Sequence, residues 1–242
     1  MNIETLSQEC LRELQFALED AFATNKNSDE RTAFVYRHAV TIKRLGEDVI
    51  HLETDGRHYS SAVIVRSMLE CLFNLVAAVE NANFAMEKLV WEVETELKNL
   101  LKWIEVEHDD EPNFGETIKE LESLSLALRQ KQSISGPLNW NAFECAKAAG
   151  LVGNYRREYF MYSRVVHATA SGIIGREQEI GRGHILKTVL FALIYATGTM
   201  VQVVPTKNPQ RHIDTAAELT GKLITLIDLG FFSDLDNLQY LQ

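Results

Sequence analysis

Four polar side chains recur at every fourth position late in the sequence: Tyr155, Tyr159, Ser163 and His167. Because residues four apart lie on one side of an α-helix, they are predicted to form a polar stripe along one helix. His167 would fall in the last helical turn, where the helix dipole favours a cationic imidazole. These groups are suited to proton transfer or to holding a polar ligand. They are equally suited to hydrogen-bonded packing between helices, so the pattern leaves both roles open.

A second candidate is the pair Arg66 and Glu70, which lies in an apolar segment predicted to be a helix over residues 59–79. A guanidinium on such a helix needs carboxylate or hydroxyl partners, because an unpaired buried charge costs several kcal/mol. The pair is therefore either a structural ion pair or the anchor for an anionic group of a ligand.

Together these patterns predict a polar pocket between the Arg66 helix and the His167 helix. Three residues are candidates for catalysis: His167, Arg66 and Glu70. Three more are candidates for ligand binding: Tyr159, Ser163 and Arg164. A small anionic or nucleotide-like molecule is the expected ligand.

Motifs for metals and cofactors are missing from the sequence. A di-iron bundle needs two Glu-x-x-His motifs, and only Glu105 to His108 fits that spacing. The acidic run 108–111 is expected to be a solvated loop, and no P-loop, dinucleotide fingerprint or nucleophile elbow occurs. We therefore expect neither a metal nor a cofactor. The glycine-rich segment 172–184 carries Arg176 and Arg182 and precedes a helix, where backbone amides can hold a phosphate.

The elements that must position these groups are predicted to be helices. Apolar residues recur at three- and four-residue spacing through most of the 242 residues, and only 4 prolines interrupt them. The fold class predicted is all-α, a bundle of about eight to nine helices in one domain over residues 1–242. The segment 132–138 is the only expected subdomain break.

Charge and cysteine usage narrow the class of protein. A net charge of -10 argues against sequence-blind nucleic-acid binding, although a local basic patch would still allow RNA as a partner. The three cysteines are odd in number and widely spaced, so they are expected to be free thiols. The N-terminal residues lack an export signal, and the uncharged segment 188–204 is expected to be a buried helix rather than a membrane span. A cytoplasmic protein without membrane contact is predicted.

The segment Arg-Ser-Met-Leu-Glu at residues 66–70 and the later Tyr-x-x-x-Ser-x-x-x-His at residues 159–167 carry a resemblance. Together they resemble a family of bacterial all-helical proteins that is catalogued only as a domain of unknown function. The resemblance covers roughly residues 59–172. It implies that Arg66, Glu70, Tyr159, Ser163 and His167 are the family's characteristic polar positions, and it implies no established activity.

A weaker similarity is to the helical ribonucleases named for higher eukaryote and prokaryote nucleotide-binding (HEPN). Their signature is an Arg, four to six residues and then a His on a late helix, and it acts without metal at a dimer interface. The sequence departs from it at His167, since Arg164 is too near and Arg157 too far. Loose matches at 31–38 and 44–51 are expected by chance. The similarity would imply a homodimer that cleaves RNA.

Three functions therefore stay open. The leading interpretation is a protein that binds a small anionic or nucleotide-like ligand in the pocket. The alternative is a metal-independent ribonuclease of a toxin or phage-defence system, with His167 as general acid and base. The third is a structural or interaction protein in which the polar residues only fix the packing.

Overall fold

The computed structural model describes residues 2–24, 28–107, 114–166 and 181–232. Within these residues the chain forms nine helices and no strand, which confirms the predicted all-α bundle. The first six helices are α1 (Ile3–Thr24), α2 (Glu30–Thr54), α3 (His58–Glu80), α4 (Phe84–Glu107), α5 (Phe114–Lys131) and α6 (Ala142–Ala148). The seventh, α7, joins three consecutive segments, Val152–Asn154, Tyr155–Tyr159 and Phe160–Val166. The last two are α8 (Arg182–Met200) and α9 (Pro209–Asp228).

Helix α3 is the centre of the bundle. It is apolar nearly all round, and it packs against α2, α4, α6, α7 and α8. Leu69, Leu72 and Phe73 are fully buried along it. A helix that meets neighbours on most sides can carry charged groups only where they find partners, and this constraint applies to Arg66 and Glu70.

Helix α8 lies against α1, α2, α3 and α9. Its inner residues include Ile185, Leu190 and Leu193, all fully buried. Helices α3 and α8 are both long and apolar enough to cross a membrane, yet 61% and 72% of their most apolar stretches are buried within the bundle. Core helices pass the same length and composition test, so the finding is only weak evidence for a span. The predicted buried helix is observed, but it ends at Met200 rather than Val204.

Side-chain caps fix two helix starts. Asp29 accepts a hydrogen bond from the backbone amide of Thr32 and begins α2. Asn141 begins α6 in the same way, since its side chain accepts the amides of Phe143 and Glu144. The carbonyl of Trp140, just before this cap, accepts a hydrogen bond from the buried ammonium of Lys88.

The link between α5 and α6 runs without helix through residues 132–141. Arg129 at the end of α5 donates to the carbonyl of Gly136 at 2.9 Å and so holds the start of this link. The same arginine pairs with Glu94 on α4, which ties α4 and α5 into a hairpin. The one-domain organisation, with its only break near 132–138, stays a prediction.

Candidate functional site

The candidate site lies where α3 passes α7. Arg66 and Glu70 are one helical turn apart on α3, so both side chains leave the same side of that helix. Tyr159 and Ser163 occupy the corresponding positions on α7. Tyr59, at the start of α3, donates to the carbonyl of Val165 at 3.2 Å and fixes the far end of the crossing.

A π-helical segment, Tyr155–Tyr159, shapes α7 at this crossing. The amide of Phe160 donates to the carbonyl of Tyr155, a wider turn than the α-helical one. This widening places the rings of Tyr155 and Tyr159 in a stack, 4.9 Å between centroids and 19° between planes. Both rings also pack against Phe73 of α3. π-Helical turns are rare in proteins, and those that occur are frequently at functional sites. The segment therefore supports this crossing as a candidate functional site.

Four polar side chains meet here in one hydrogen-bonded network, which we call the Arg66 centre: Arg66, Glu70, Tyr159 and Ser163. Arg66 donates from Nη2 to the Tyr159 hydroxyl at 2.8 Å and from Nε to Ser163 Oγ at 3.2 Å. Its Nη2 also lies 3.0 Å from Glu70 Oε1. The Tyr159 hydroxyl in turn donates to Glu70 Oε1 at 2.5 Å. Each group contacts at least one other, so the centre holds a single defined geometry.

The centre is only half-buried. The side chains of Arg66 and Glu70 are 23% and 37% exposed. Among the described residues, Arg66 Nη1 and Glu70 Oε2 have no hydrogen-bond partner. The buried part of the network is therefore satisfied, and one donor and one acceptor face outward.

Tyr159 is held in its protonated form. Burial, followed by the hydrogen bond to Glu70, raises the pKa of its phenol to about 12. A phenol with that pKa donates a hydrogen bond at neutral pH and does not act as a base. The arrangement is suited to holding a polar group rather than to removing a proton with a tyrosinate.

The structure brings together four of the six candidate residues, those of the Arg66 centre. Arg164 follows Ser163 on α7, but the hydrogen bonds of the network do not include it. His167 lies outside the described residues. Tyr155, predicted in the same stripe, joins an aromatic cluster with Phe143 instead. Whether any of the six binds a ligand or catalyses a reaction stays a prediction.

The two loose ribonuclease matches both lie on α2. Arg31 donates to the carbonyls of Ala78 and Val79 and so terminates α3. His38 is largely buried beside Phe34, and burial lowers its pKa.

The second match pairs Arg44 with His51, whose side chain is 80% exposed. His51 lies 3.8 Å from Asp55 on the same helix. In neither match does a hydrogen bond join the arginine to its histidine within the described chain.

Within the described residues, no cluster of three or more His, Cys, Asp or Glu residues could hold a metal ion. The predicted acidic loop at 108–111 and Arg176 lie outside the described residues. Cys10, Cys71 and Cys145 are free, as predicted, and burial raises the pKa of each thiol, to about 12, 12 and 11 respectively. Such thiols are poor nucleophiles.

Sequence reasoning missed two buried ionisable groups. Glu53 is fully buried, and one of its oxygens lies 2.7 Å from His58 Nδ1. His212 is also buried, and it lies 2.7 Å from Glu13 and 3.4 Å from Asp20, which ties α9 to α1.

A signal for both groups was present in the helical spacing. Glu53 continues the buried stripe of α2 that includes Ile42, Gly46 and Val49. His212 begins the corresponding stripe of α9. A charged or titratable residue at an inward position of an apolar stripe therefore indicates a buried ionisable group.

Comparison with protein families adds one finding. The model of a family of unknown function, DUF5677, matches residues 32–180, more than half of the chain. The matched region holds both sides of the Arg66 centre. No curated protein and no solved structure matches the chain. The protein therefore belongs to the family of unknown function DUF5677.

Proposed function

We propose that the protein binds a small nucleotide-like ligand at the Arg66 centre. The observation that carries this is the outward-facing pair of unpartnered atoms, Arg66 Nη1 and Glu70 Oε2, on a network that is otherwise satisfied. Because the network already fixes this donor and this acceptor, they can bind a ligand with little loss of side-chain entropy.

The charge balance favours a particular kind of ligand. Glu70 neutralises much of the Arg66 charge, so a bare anion would gain only one charge-assisted hydrogen bond, to Nη1. A ligand that also donates a hydroxyl or amine proton to the carboxylate gains a second. A nucleotide carries both an anionic phosphate and ribose hydroxyls, and we expect it to bind more tightly than inorganic phosphate.

A purely structural role is the second candidate, and one observation favours it. Every member of the centre has a protein partner, and the contacts between Arg66 and Tyr159 join α3 to α7. Hydrogen bonds of this kind stabilise packing whether or not a ligand is present. In that case substitutions would lower stability and no nucleotide would bind.

Isothermal titration calorimetry with AMP and with inorganic phosphate, in buffer containing EDTA, tests the proposal. AMP is expected to bind the wild type, and Arg66→Gln to weaken it at least about tenfold, the worth of one charge-assisted hydrogen bond. Arg37→Gln, on the exposed side of α2, is the control and should bind as the wild type does. Absence of AMP binding, or an equal affinity in folded Arg66→Gln, contradicts the proposal.

The ribonuclease alternative depends on His167, and it is tested in the same buffer. If the protein cleaves RNA without metal, His167→Ala should abolish cleavage while the thermal unfolding midpoint changes little. Cleavage that persists in the folded His167→Ala protein removes His167 from the mechanism.

We also propose a cytosolic location and a homodimer. The burial of α3 and α8 within the bundle supports the cytosolic location. Cell fractionation without detergent tests it, and recovery only with membranes would contradict it.

The homodimer is supported by exposed apolar side chains on the α4–α5 hairpin, among them Leu101, Trp103, Leu124 and Leu126. Light scattering after gel filtration tests it, and a monomer at every concentration would contradict it.

A further inference from the structure

A large cavity lies between the start of α1, the end of α2 and the start of α8. Its volume is about 690 Å³, within the range of small-molecule sites. Four of its lining side chains are apolar: Ile3, Ile50, Leu186 and Phe231. It shares no lining residue with the Arg66 centre. We call it the Glu53 cavity.

Glu53 is the unusual group in this wall. Its side chain is completely buried, and its Oε2 lies 2.7 Å from Nδ1 of the His58 imidazole. Over the residues that the structure describes, Oε1 is buried without a hydrogen-bond partner. A buried carboxylate oxygen left unpaired costs free energy, so native structures retain one only where something offsets that cost.

Arg182 lines the same cavity from the first residue of α8. Its Nε is also buried, without a hydrogen-bond partner among the described residues. Glu53 and Arg182 form no ion pair with each other in the described structure, since no nitrogen-to-oxygen distance of 4.0 Å or less joins them. Two residues of one cavity wall therefore carry an unpaired acceptor and an unpaired donor of opposite charge, and protein atoms cover both.

The cavity wall beside Arg182 is closely packed, with Gly183 against the backbone of Phe232. A Cβ on Gly183 would lie 1.9 Å from the carbonyl oxygen of Phe232, so only glycine permits this approach. The contact holds Phe231, the next residue back along the chain, in the cavity wall. The apolar part of the cavity is thus built by direct packing of the chain on the first turn of α8.

We propose that the Glu53 cavity binds a small zwitterion of the amino-acid class that carries an apolar side chain. Glu53 and Arg182 turn toward the cavity on binding, so that the ammonium group donates to Glu53 Oε1 and the carboxylate accepts from Arg182 Nε. The ligand's side chain contacts Ile50, Leu186 and Phe231. Each orphaned atom then has a partner of opposite charge, and charge-assisted hydrogen bonds are the strong ones in a buried site.

Other ligand classes fit the same walls less well. An anion alone would satisfy Arg182 but would meet the carboxylates of Glu53 and Glu4 in the same cavity. An amine alone would leave Arg182 Nε unpaired. A neutral nucleobase would give hydrogen bonds but would leave both charges uncompensated in a region of low dielectric constant.

Calorimetry with leucine and two matched analogues tests the proposal on the full-length protein. 3-Methylbutylamine lacks only the carboxylate of leucine, and 4-methylpentanoate lacks only its amine. Leucine, or phenylalanine in a parallel titration, is expected to bind, with each analogue at least about tenfold weaker than leucine, the worth of one lost charge-assisted hydrogen bond.

Two variants identify the partner atoms. Glu53→Gln should weaken leucine at least about tenfold and leave 4-methylpentanoate unchanged. Arg182→Gln should weaken leucine and leave 3-methylbutylamine unchanged. Glu47→Gln, an exposed carboxylate on the same helix, is the control and should bind as the wild type. Circular dichroism establishes whether each variant is folded. If a charge variant does not fold, Ile50→Phe replaces it, since a larger side chain fills the cavity without removing a charge and should also weaken leucine binding.

Three results would overturn the proposal. One is no heat from leucine or phenylalanine at ligand concentrations of about 10 mM, well above the weakest specific affinities. Another is an analogue that binds as tightly as leucine. The last is leucine binding that Glu53→Gln and Ile50→Phe leave unchanged. The nucleotide titration concerns different residues, so either proposal can fail without the other.

Discussion

The Arg66 centre and the Glu53 cavity differ in how their charged side chains are paired and buried. Each combines a glutamate with an arginine among helices. In the Arg66 centre the two groups pair at 3.0 Å and remain partly exposed. In the Glu53 cavity they do not pair with each other: Glu53 is completely buried and pairs with His58 through one oxygen only, and Oε1 has no partner in the described residues. Paired groups contribute to stability, whereas unpaired buried groups cost stability and are available to a ligand.

Disrupting the packing of the cavity wall at Gly183 should have the largest effect on the free energy of unfolding. Gly183→Ala places a methyl group against a backbone carbonyl, so Phe232 must move, at a cost of about 3 kcal/mol in the free energy of unfolding. Gly221→Ala on α9 is the matched control, since its Cβ meets open space, and it should gain about 0.5–1 kcal/mol. Urea unfolding measures both. Equal stabilities for the two variants would mean that Gly183 is not closely packed.

Breaking the Arg66 centre should have the next largest effect. Arg66→Gln removes hydrogen bonds to Tyr159 and Ser163 and should lower the free energy of unfolding by about 2 kcal/mol. Lys43→Gln breaks the Lys43–Glu47 pair on the surface of α2 and should cost less than about 0.5 kcal/mol. If Lys43→Gln costs as much as Arg66→Gln, the Arg66 centre is an ordinary surface ion pair.

His184 should make stability depend on pH. It lies in the first turn of α8, its Nε2 is buried with no hydrogen-bond partner in the described part of the chain, and burial lowers its pKa to about 4. The unfolded chain then binds a proton that the folded chain does not, between its usual pKa of about 6.5 and about 4, so stability falls as the pH falls through that window.

The matched variant isolates that effect. At pH 5.5 the wild type should lose about 1 kcal/mol relative to pH 7 through His184, and His184→Gln should not show that part of the loss. Urea unfolding of both proteins at the two pH values measures it. A pH dependence that is the same in the variant would mean that folding does not lower the pKa of His184.

The cysteines provide the smallest expected effect. Burial raises the pKa of all three thiols, so at pH 8 the folded protein should react with a disulfide reagent many times more slowly than the unfolded protein. Unfolding in guanidinium should release three reactive thiols. A fast-reacting thiol in the native protein would contradict the burial of these groups.

The helices could be read from the sequence because their patterns are local. Apolar spacing of three and four predicts the all-helical bundle. The apolar segment 59–79 forms α3, which runs from His58 to Glu80. Contacts between distant residues, such as the hydrogen bond from Lys88 to the Trp140 carbonyl, leave no local pattern of this kind.

The two polar centres differ in how far the sequence predicts them. The Arg66 centre was predicted, since four-residue spacing on two apolar helices reveals groups that must find partners. The π-helical turn at Tyr155–Tyr159 leaves no such pattern, because it depends on packing against Phe73. The Glu53 cavity depends on residues far apart in the chain, Ile3, Glu53 and Arg182, and no local pattern joins them.

The most direct test compares two substitutions of the same kind, Glu70→Gln and Glu53→Gln, by urea unfolding at pH 7. Glu70→Gln weakens a satisfied network and should cost about 2 kcal/mol. Glu53→Gln removes a buried charge with an unpaired oxygen, keeps an acceptor for His58, and should leave stability within about 1 kcal/mol of the wild type or raise it. If Glu53→Gln is destabilised as much as Glu70→Gln or more, the contrast between a satisfied hydrogen-bond network and a buried carboxylate with an unpaired oxygen is wrong.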